Sequence, residues 1–351
     1  MYDIILSFIT AFTLTYFAIP SIINIAAKKN LVDLPGERRA HSTPTPSLGG
    51  IAIFAGVIFS IVLWTPFNVF GDLQYVLCAF IIVFLIGAKD DILPMAPWRK
   101  LSGEIFAAGI LVLKSNVKLT SLYGIFGIYE IPDLVSIPLS IFVIMVIINA
   151  FNLIDGINGL SGSISTLITL VLGTWFFLIG HVELAIVAFA LAGSTIAFLK
   201  YNFTPARIFM GDTGALLVGL ICAILTIKFI EVHKSIEGSV YAINAVPAVA
   251  IGILILPLFD TLRVFITRIL KGKSPLSADR NHIHHLLIDC GLSHMQATGV
   301  LVFVNMLFIY AVFVLQNLGT LRLLIVILIS AMSLTGILIY LRNKVKRKVQ
   351  I

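Results

Sequence analysis

Long uncharged apolar runs, separated by short polar segments, recur along the whole chain of 351 residues. Because a helix needs about 20 apolar residues to cross the hydrocarbon core of a bilayer, each run predicts a membrane-spanning helix. Two of the runs, 74–88 and 101–115, are shorter than this and need tilt or flanking residues to complete a crossing. The eleven predicted spans are 4–27, 48–66, 74–88, 101–115, 134–151, 160–180, 182–200, 214–230, 244–262, 296–316 and 320–341.

Composition places the chain in the same class. Hydrophobic residues make up 59% of it and charged residues 12%, with a mean hydropathy of +1.06. A soluble globular chain is about half apolar and roughly a quarter charged. The sequence therefore predicts an all-α integral membrane protein in which residues 1–351 form a single polytopic domain.

The positions of lysine and arginine predict the orientation, because positively charged short loops are retained on the cytoplasmic side. With the N-terminus outside, 19 of the 24 basic residues fall on the cytoplasmic side, including those of the basic tail 342–351. An odd number of spans also places the C-terminus in the cytoplasm. The formal charge of +7 lies beside the membrane and suits anionic lipid head groups, so nucleic acid is not an expected partner.

Two segments between spans carry their own predictions. The alternating pattern of 117–131 predicts a short β-hairpin on the outer face. Residues 263–295 are predicted to form a long cytoplasmic loop that takes part in the chemistry.

Three polar clusters interrupt the apolar pattern, and the predicted topology places all of them on the cytoplasmic face. Asp90 and Asp91 close the third span. Asn152 and Asp155 follow the fifth span, and Asp212 lies between the seventh and the eighth. Carboxylates at a membrane boundary are costly, so a functional role is favoured.

Each cluster also has a plain structural interpretation. Asp90 and Asp91 could end a helix in water, although aspartate is unfavourable at a helix C-terminus because the macrodipole is negative there. The glycines between Asp155 and Leu160 are compatible with a turn between two spans. Asp212 could cap the helix that it opens.

The sequence His282-Ile-His284-His285 is the most specific local signal. A structural zinc site is disfavoured, because no cysteine pair lies nearby. Several donors arranged around an anion suit the spacing better, since on a helix His282 and His285 would share a face while His284 points elsewhere.

Two further acidic residues lie near the inner ends of their predicted spans. Glu104 and Asp260 each have a basic residue one helical turn away, Lys100 and Arg263 respectively. Simple ion pairs along the helix would account for both.

Acidic side chains ringed by cations at a membrane rim suit one chemistry in particular. Carboxylate and amide oxygens are the hard ligands that Mg²⁺ prefers, and substrate phosphates usually complete its coordination. Lysine, arginine and histidine would hold the phosphates and offset charge on a leaving group, which is most of what phosphoryl transfer requires. The sequence therefore favours a membrane enzyme that joins a nucleotide-linked substrate to a lipid phosphate. A transporter of an anionic solute and a lipid-anchored scaffold stay open as alternatives, although transport sites tend to lie near the membrane midplane.

These motifs resemble those of the polyprenyl-phosphate N-acetylhexosamine-1-phosphate transferases, bacterial enzymes of glycosyltransferase family 4 that begin lipid-linked glycan assembly. The resemblance covers nearly the whole chain and rests on four motifs in the family's order. They are Asp90-Asp91, Asn149-Ala-Phe-Asn152-Leu-Ile-Asp155-Gly-Ile-Asn158-Gly-Leu160, Asn202-Phe-Thr-Pro-Ala-Arg-Ile-Phe-Met-Gly-Asp212 and His282-Ile-His284-His285.

The resemblance implies transfer of N-acetylhexosamine 1-phosphate, with N-acetylglucosamine favoured, from a UDP-sugar to undecaprenyl phosphate, with release of UMP. This would be the first membrane step of a cell-envelope glycan such as a lipopolysaccharide O-antigen or a teichoic acid. It also implies Mg²⁺, with Mn²⁺ as an alternative, in the bacterial inner (plasma) membrane, and an active site on the cytoplasmic face. A homodimer is left open. So is a covalent aspartyl intermediate, although we favour direct displacement.

The resemblance also assigns roles to residues. Asp90, Asp91 and Asp155 are the expected catalytic acids, and Asp90 would deprotonate or position the lipid phosphate. Asp212 is the expected Mg²⁺ ligand, with Asn152 as a second or outer-shell ligand. The residues expected to bind the substrates are Lys100, Gly156, Ile157, Asn158, Asn202, Phe209, His282, His284 and His285.

Within this set, Lys100 resembles a lysine that contacts phosphate, and the histidines resemble a loop that closes over the diphosphate. Residues 156–158 and Phe209 resemble a uracil pocket, where a flat apolar ring can stack on the base. Asn158 departs from the aspartate that many bacterial members carry, which puts a metal or base role at this position in doubt. The His-Ile-His-His sequence, instead of three consecutive histidines, favours a simple UDP-amino sugar over the peptidoglycan pentapeptide precursor.

Overall fold

The chain divides into two compact units, Met1–Ala242 and Ile243–Ile351, which we describe separately. The single domain inferred from the sequence stays a prediction. The computed structural model describes residues 1–31, 44–236, 238–272 and 281–349. Four basic residues that entered the predicted orientation lie outside the described residues, namely Arg38, Arg39, Lys273 and Arg280.

The described residues of the first unit form eight α-helices and a two-stranded antiparallel sheet. Each helix overlaps one of the first eight predicted spans. The strands β1 Ser121–Ile125 and β2 Ile128–Glu130 lie inside the segment predicted to form a hairpin. The helices are α1 Tyr2–Lys28, α2 Gly49–Trp64, α3 Leu73–Ile92, α4 Pro97–Lys114, α5 Asp133–Ile154, α6 Leu160–Leu178, α7 Val182–Asn202 and α8 Gly211–Val232, with short 3₁₀ turns at Phe67–Val69 and His233–Ser235.

Helix α8 is the central helix of this unit. It packs against α2, α3, α5 and α6, and every residue from 213 to 227 is buried. A helix that is apolar on all sides takes such a place because no face of it prefers water. Its first residues, Gly211 and Asp212, therefore sit among the ends of the helices that surround it.

The hairpin is anchored at the opposite end of α8. Glu231 accepts hydrogen bonds from the backbone nitrogen of Thr120 at 2.9 Å and from its hydroxyl at 2.7 Å. The hydroxyl of Tyr123 donates to the carbonyl of Ile230 at 2.5 Å. Since a helix rises about 1.5 Å per residue, the hairpin lies roughly 30 Å from Asp212. The side of the membrane on which it lies stays a prediction.

The described residues of the second unit form five α-helices and one 3₁₀ turn. The stretch 263–295, predicted to be a loop, contains the end of one helix, the whole of a second and the first two residues of a third. Its first part stays helical because Val264 and Arg268, four residues apart, are both buried on one face. The helices are α9 Val246–Ile253, α10 Ile255–Leu270, α11 Ile283–Asp289, α12 His294–Leu315 and α13 Thr320–Val349, with a 3₁₀ turn at Gln316–Leu318.

The ninth predicted span, 244–262, is not one straight helix, because α9 and α10 meet at a bend of 82°. Buried Asn305 of α12 serves the backbone groups at this bend. Its Nδ2 donates to the carbonyl of Ile253 at 3.2 Å, and its Oδ1 accepts from the backbone nitrogen of Leu256 at 3.3 Å. The apolar run predicted a helical span but not its bend. The side chain that binds the backbone groups at the bend lies on another helix.

The basic tail 342–351 begins inside α13 and is tied to the end of α11. The Nε of Arg342 lies 2.9 Å from Oδ2 of Asp289, and the Nζ of Lys346 lies 3.4 Å from the same oxygen. Two of the tail's charges are therefore paired within the second unit.

Over the described residues, seven helices are long and apolar enough to cross a membrane, and an eighth crossing results if α9 and α10 count as one broken span. Helix α2 is apolar but only 16 residues long. The fold is that of a mostly α-helical, multi-pass membrane protein. The eleven crossings and the orientation stay predictions.

We expect Asn305→Leu to destabilise the protein by about 1–3 kcal/mol, because two backbone groups at the bend would be buried without a partner. The unfolding midpoint in detergent, followed by far-UV circular dichroism, measures this loss. Met306→Leu, at an exposed position of the same helix, is the matched control and should leave the midpoint unchanged. An Asn305→Leu midpoint equal to that of the wild type would show that the bend does not depend on this side chain.

Candidate active site

The carboxylate of Asp91 binds the N-terminus of α8. Its Oδ1 accepts a hydrogen bond from the backbone nitrogen of Asp212 at 2.7 Å. Its Oδ2 accepts from the backbone nitrogen of Thr213 at 3.0 Å and from the hydroxyl of the same residue. The first amides of a helix have no partner within it and together favour an anion. Asp91 therefore supplies the cap of α8 from the end of α3.

This contact overturns one structural interpretation of the sequence. The residue at the N-cap position of α8 is Met210, without a side-chain cap hydrogen bond. Asp212 lies two residues further on and does not cap its own helix, so that interpretation is wrong. Its side chain is left to face Lys100 and Asn152.

Two glycines let the chain segments approach closely enough for this cap. Gly87 precedes Asp91 by one helical turn, and a Cβ atom there would lie 2.5 Å from the Cα of Thr213. Gly211 has a φ of +69°, and a Cβ atom there would lie 2.1 Å from the carbonyl oxygen of Ser47. Any other residue at either position would push α3 or the start of α2 away from α8.

Backbone hydrogen bonds hold the other side of the α8 start. The backbone nitrogen of Phe209 donates to the carbonyl of Pro46 at 2.8 Å, and that of Gly49 donates to the carbonyl of Phe209 at 2.9 Å. The backbone nitrogen of Gly50 donates to the carbonyl of Met210 at 2.9 Å. The turn that carries Asp212 is thus fixed by the segment leading into α2.

The ammonium of Lys100 lies between two carboxylates. It contacts Oδ2 of Asp212 and lies 3.4 Å from Oδ2 of Asp90. The other oxygen of Asp212 accepts from Nδ2 of Asn152 at 2.8 Å, and Oδ1 of Asp90 accepts from the backbone nitrogen of Met95 at 2.6 Å. The side chains of Lys100, Asp90 and Asp212 retain 16%, 17% and 29% of their exposure, so a solute can reach them.

Asp155 follows α5 directly and is half-buried. Burial, and then the negative charges of Asp212 and Asp91, raise the pKa of its carboxyl to about 7. A pKa raised by neighbouring carboxylates indicates an excess of negative charge. A bound cation would offset that charge.

Asn202 joins the turn after α5 to the loop before α8. Its Oδ1 accepts from the backbone nitrogen of Gly159 at 2.7 Å, and its Nδ2 donates to the carbonyl of Ile208 at 2.8 Å. A second bridge runs from Nδ2 of Asn158 to the hydroxyl of Thr204 at 3.0 Å. Asn202 thus has a supporting position in the structure, while its predicted contact with substrate stays a prediction.

The residues predicted to form a uracil pocket border this junction. Gly156 is exposed, Ile157 is buried, and Phe209 is half-buried in the loop that Asn202 holds. The structure therefore brings these segments together, and their binding of a base stays a prediction.

Glu104 has a different partner from the one inferred from the sequence. It is buried, and its Oε2 accepts from Nδ2 of Asn149 at 2.6 Å. The ammonium of Lys100 forms ion pairs with Asp90 and Asp212 and acts on Glu104 only through its charge. The pairing with Asn149 was not foreseen, because the two residues lie on different helices.

The histidine motif of the second unit is built around Asp260. The Oδ2 of this buried carboxylate lies 2.8 Å from Nδ1 of His282. Its Oδ1 accepts from the backbone nitrogen of Ile283 at 3.0 Å and from Nη2 of Arg263 at 3.0 Å. The ion pair with Arg263, which also donates to the carbonyl of Asn281, agrees with the sequence. The contact with His282 was missed, because 22 residues separate the two.

His284 differs from His282 in its surroundings. His284 is buried, and burial together with the neighbouring His285 lowers the pKa of His284 to about 3, so this ring is neutral at physiological pH. The rings of His282 and His284 are stacked with centroids 5.6 Å apart. Of the predicted donors, His284 therefore contributes no positive charge.

Fold and site together define the class of this protein. It is a multi-pass helical membrane protein with clustered carboxylates, a lysine and an amide at the start of its central helix. Residues 73–230 match the family described as Glycosyl transferase family 4. That range runs from the start of α3 to the last turn of α8, and it contains Asp90, Asp91, Lys100, Asn152, Asp155 and Asp212.

Similar proteins extend the match beyond this range. A "Probable undecaprenyl-phosphate N-acetylglucosaminyl 1-phosphate transferase" of Bacillus subtilis is 32% identical over 326 residues, 90% of this chain and 86% of that protein. A "Decaprenyl-phosphate N-acetylglucosaminephosphotransferase" of Mycobacterium tuberculosis is 30% identical over 313 residues, 84% of this chain and 78% of that protein. An "Undecaprenyl-phosphate alpha-N-acetylglucosaminyl 1-phosphate transferase" of Escherichia coli O157:H7 is 30% identical over 280 residues, 78% and 73% respectively. The chain belongs to this family, and the resemblance of its motifs is confirmed.

We expect Asp91→Ala to destabilise the protein by about 1–2 kcal/mol, because the first amides of α8 would lose their cap. Displacement of Asp212 should lower any transferase activity on the order of 100-fold. Tryptophan fluorescence in detergent and UMP release measure the two effects. Asp72→Ala makes the same change at the N-cap position of α3, where no side-chain cap hydrogen bond exists, and should alter neither. Wild-type stability in Asp91→Ala would contradict the capping role.

The raised pKa of Asp155 makes stability depend on pH. The folded chain keeps this carboxyl protonated up to about pH 7, whereas the unfolded chain ionises it near 3.8. Stability should therefore fall as pH rises between these values and level off above the upper one. Asp155→Asn should remove this part of the pH dependence. The unfolding midpoint of the variant minus that of the wild type should therefore increase as pH rises towards 7 in Mg²⁺-free buffer. Asp133→Asn, an exposed aspartate, is the control, and parallel pH profiles for Asp155→Asn and wild type would contradict the expectation.

Proposed function

We propose that this protein transfers N-acetylglucosamine 1-phosphate from UDP-N-acetylglucosamine to undecaprenyl phosphate in the bacterial plasma membrane. An oxygen of the lipid phosphate attacks the β-phosphorus of the nucleotide sugar. The bond from the β-phosphorus to the bridging oxygen breaks, and UMP leaves with that oxygen. The product is a lipid diphosphate sugar, with which a cell-envelope glycan can begin.

The arrangement around Lys100 is the observation that carries this proposal. Its ammonium is shared by Asp90 and Asp212, and both carboxylates remain accessible at the start of the central helix. Asp90 is also held by the backbone nitrogen of Met95, and Asp212 by the side-chain amide of Asn152. A partly exposed cation between acids that are fixed in this way can bind a phosphate oxygen without a large rearrangement. Such pre-organised charge is the main protein contribution to phosphoryl transfer.

The donor set fits Mg²⁺. Among the described residues no group of three or more His, Cys, Asp or Glu side chains forms a ready metal cage. Magnesium in phosphoryl-transfer sites usually takes one or two carboxylates, with waters and substrate phosphates as its other ligands. Asp212 would be the protein ligand, and the excess negative charge that helps to raise the pKa of Asp155 favours a cation.

Asn152 fits the outer-shell alternative better than direct coordination. Its Nδ2 donates to Asp212, so the amide orients the carboxylate that would bind the ion. When bound, Mg²⁺ supplies positive charge to the diphosphate and to the leaving UMP.

The other residues act on the lipid phosphate and the diphosphate. Lys100 binds phosphate oxygens, and Asp90, already fixed by the backbone nitrogen of Met95, positions the lipid phosphate. Asp155, whose pKa is raised first by burial, is suited to take up a proton during the reaction. Asp91 acts mainly by holding the start of α8.

The names of the relatives support the choice of donor and acceptor. Those quoted above all name a polyprenyl phosphate and N-acetylglucosamine. Family membership also favours an enzyme over a transporter of an anionic solute. The cytoplasmic face of the site follows from the distribution of basic residues.

Purified protein in detergent, given UDP-N-acetylglucosamine, undecaprenyl phosphate and Mg²⁺, should release UMP, and chelation of the metal should stop the release. Failure with several UDP-sugars in turn would contradict the proposed function. Release of UMP in a burst without lipid phosphate would instead favour a covalent intermediate over direct displacement.

We expect Asp212→Asn to lower Mg²⁺-dependent UMP release on the order of 1,000-fold, because the amide keeps the shape of the side chain and loses the charge that holds the ion. Binding of Mn²⁺, followed by electron paramagnetic resonance, should weaken in parallel. Asp133→Asn removes a carboxylate near the hairpin and should behave as the wild type. Near-normal turnover in Asp212→Asn would remove the metal role from this residue.

A further inference from the structure

Asp260 is a buried carboxylate that the proposed reaction does not use. It is 1% exposed, and both of its oxygens accept hydrogen bonds. A buried charge is stable only with partners, and here the partners are Arg263, His282 and the backbone nitrogen of Ile283. An ion pair with Arg263 alone would need neither of the other two contacts.

The same contacts determine how His282 is presented. An ionised carboxylate is an acceptor only, so the ring nitrogen that faces Asp260, Nδ1, must carry a hydrogen. The other ring nitrogen, Nε2, has no hydrogen-bond partner among the described residues. His282 is 5% exposed and lies parallel to the ring of His284, with an interplanar angle of 5°. Turning the ring over would place a carbon atom against Asp260 and lose this contact.

We propose that Asp260 is a positioning residue. It holds His282 with its Nδ1–H on the carboxylate, whose negative charge offsets that of a doubly protonated ring, so that Nε2–H is the donor offered to a phosphate oxygen of the substrates. This inference rests on the proposed function and assigns the contact to one histidine of the three. His284, buried and neutral, is left to support the ring of His282.

The proposed ligand of Nε2 is a phosphate oxygen, and two groups in the reaction can supply one. One is the diphosphate of the UDP-sugar, and the other is the lipid phosphate. A rise in KM confined to the UDP-sugar would place Nε2 on the diphosphate, and a rise confined to undecaprenyl phosphate would place it on the acceptor. A loss in kcat alone would assign the contact to the transition state.

Two amide substitutions at His282 separate the roles of the two ring nitrogens. The amide of asparagine takes the place of Nδ1, and that of glutamine reaches the place of Nε2. We expect His282→Asn to keep the contact with Asp260 and to lose activity about 100-fold, whereas His282→Gln should retain more activity. The reverse order would overturn the proposal, and neither variant removes the contacts of Asp260 with Arg263 and Ile283.

A double-mutant cycle tests whether Asp260 acts through His282. Asp260→Asn alone should lower kcat/KM about 10- to 100-fold, as loss of an orienting partner does. In the His282→Asn background the same change should cost less than about threefold, because the group that it orients is already absent. Losses that multiply independently would show that Asp260 acts only on the fold.

A spectroscopic measurement gives an answer that does not depend on activity. In protein labelled with ¹⁵N-histidine, the His282 signals, assigned by their absence in His282→Asn, should show a protonated Nδ1 in the wild type and a change of tautomer in Asp260→Asn. His181→Gln, a change in the first unit, should leave them as they are. Unchanged His282 signals in Asp260→Asn would overturn the proposal. A wild-type protein that releases no UMP but shows the expected signals would contradict the proposed function and leave the link between Asp260 and His282 standing.

Discussion

The contact between the Asp91 carboxylate and the first amides of α8 is the interaction on which the rest of the site depends. It joins the C-terminal end of α3 to the N-terminal end of α8, and the amides and positive macrodipole end of α8 offset the unfavourable position of the negative charge at the end of α3. Because the cap comes from α3, the side chain of Asp212 is available to Lys100 and Asn152. An aspartate that capped its own helix would have turned its oxygens towards the backbone.

This arrangement also explains how several carboxylates can lie together beside an apolar bundle. Asp91 is stabilised by backbone amides, Asp90 by an amide and an ammonium, and Asp212 by an ammonium and a side-chain amide. The charge that remains is felt by Asp155, whose pKa it helps to raise. A cluster that served only to cap helices would have no use for this excess, whereas a cation and two phosphate substrates would.

The second unit uses a buried carboxylate in a similar way. Asp260 accepts hydrogen bonds from the first amide of α11, from Arg263 and from His282, and so fixes the beginning of α11. In both units an aspartate near the end of an apolar run is held by amides of a following helix. Charged side chains lie at such ends because burying a charge without a partner costs free energy. A helix terminus offers hydrogen-bond partners that the hydrocarbon core lacks.

The sequence by itself determined the membrane class, the elements of the first unit and the family, because apolar run length and ordered motifs are local properties that survive without a structure. It also identified the polar clusters that the first-unit site contains. Only the tertiary structure decided that Asp91 rather than Asp212 caps α8, that Glu104 pairs with Asn149, that the ninth apolar run is broken, and that Asp260 binds His282. Each of these depends on contacts between residues far apart in the chain. Periodicity and composition carry no information about which distant amide or ring a carboxylate will meet.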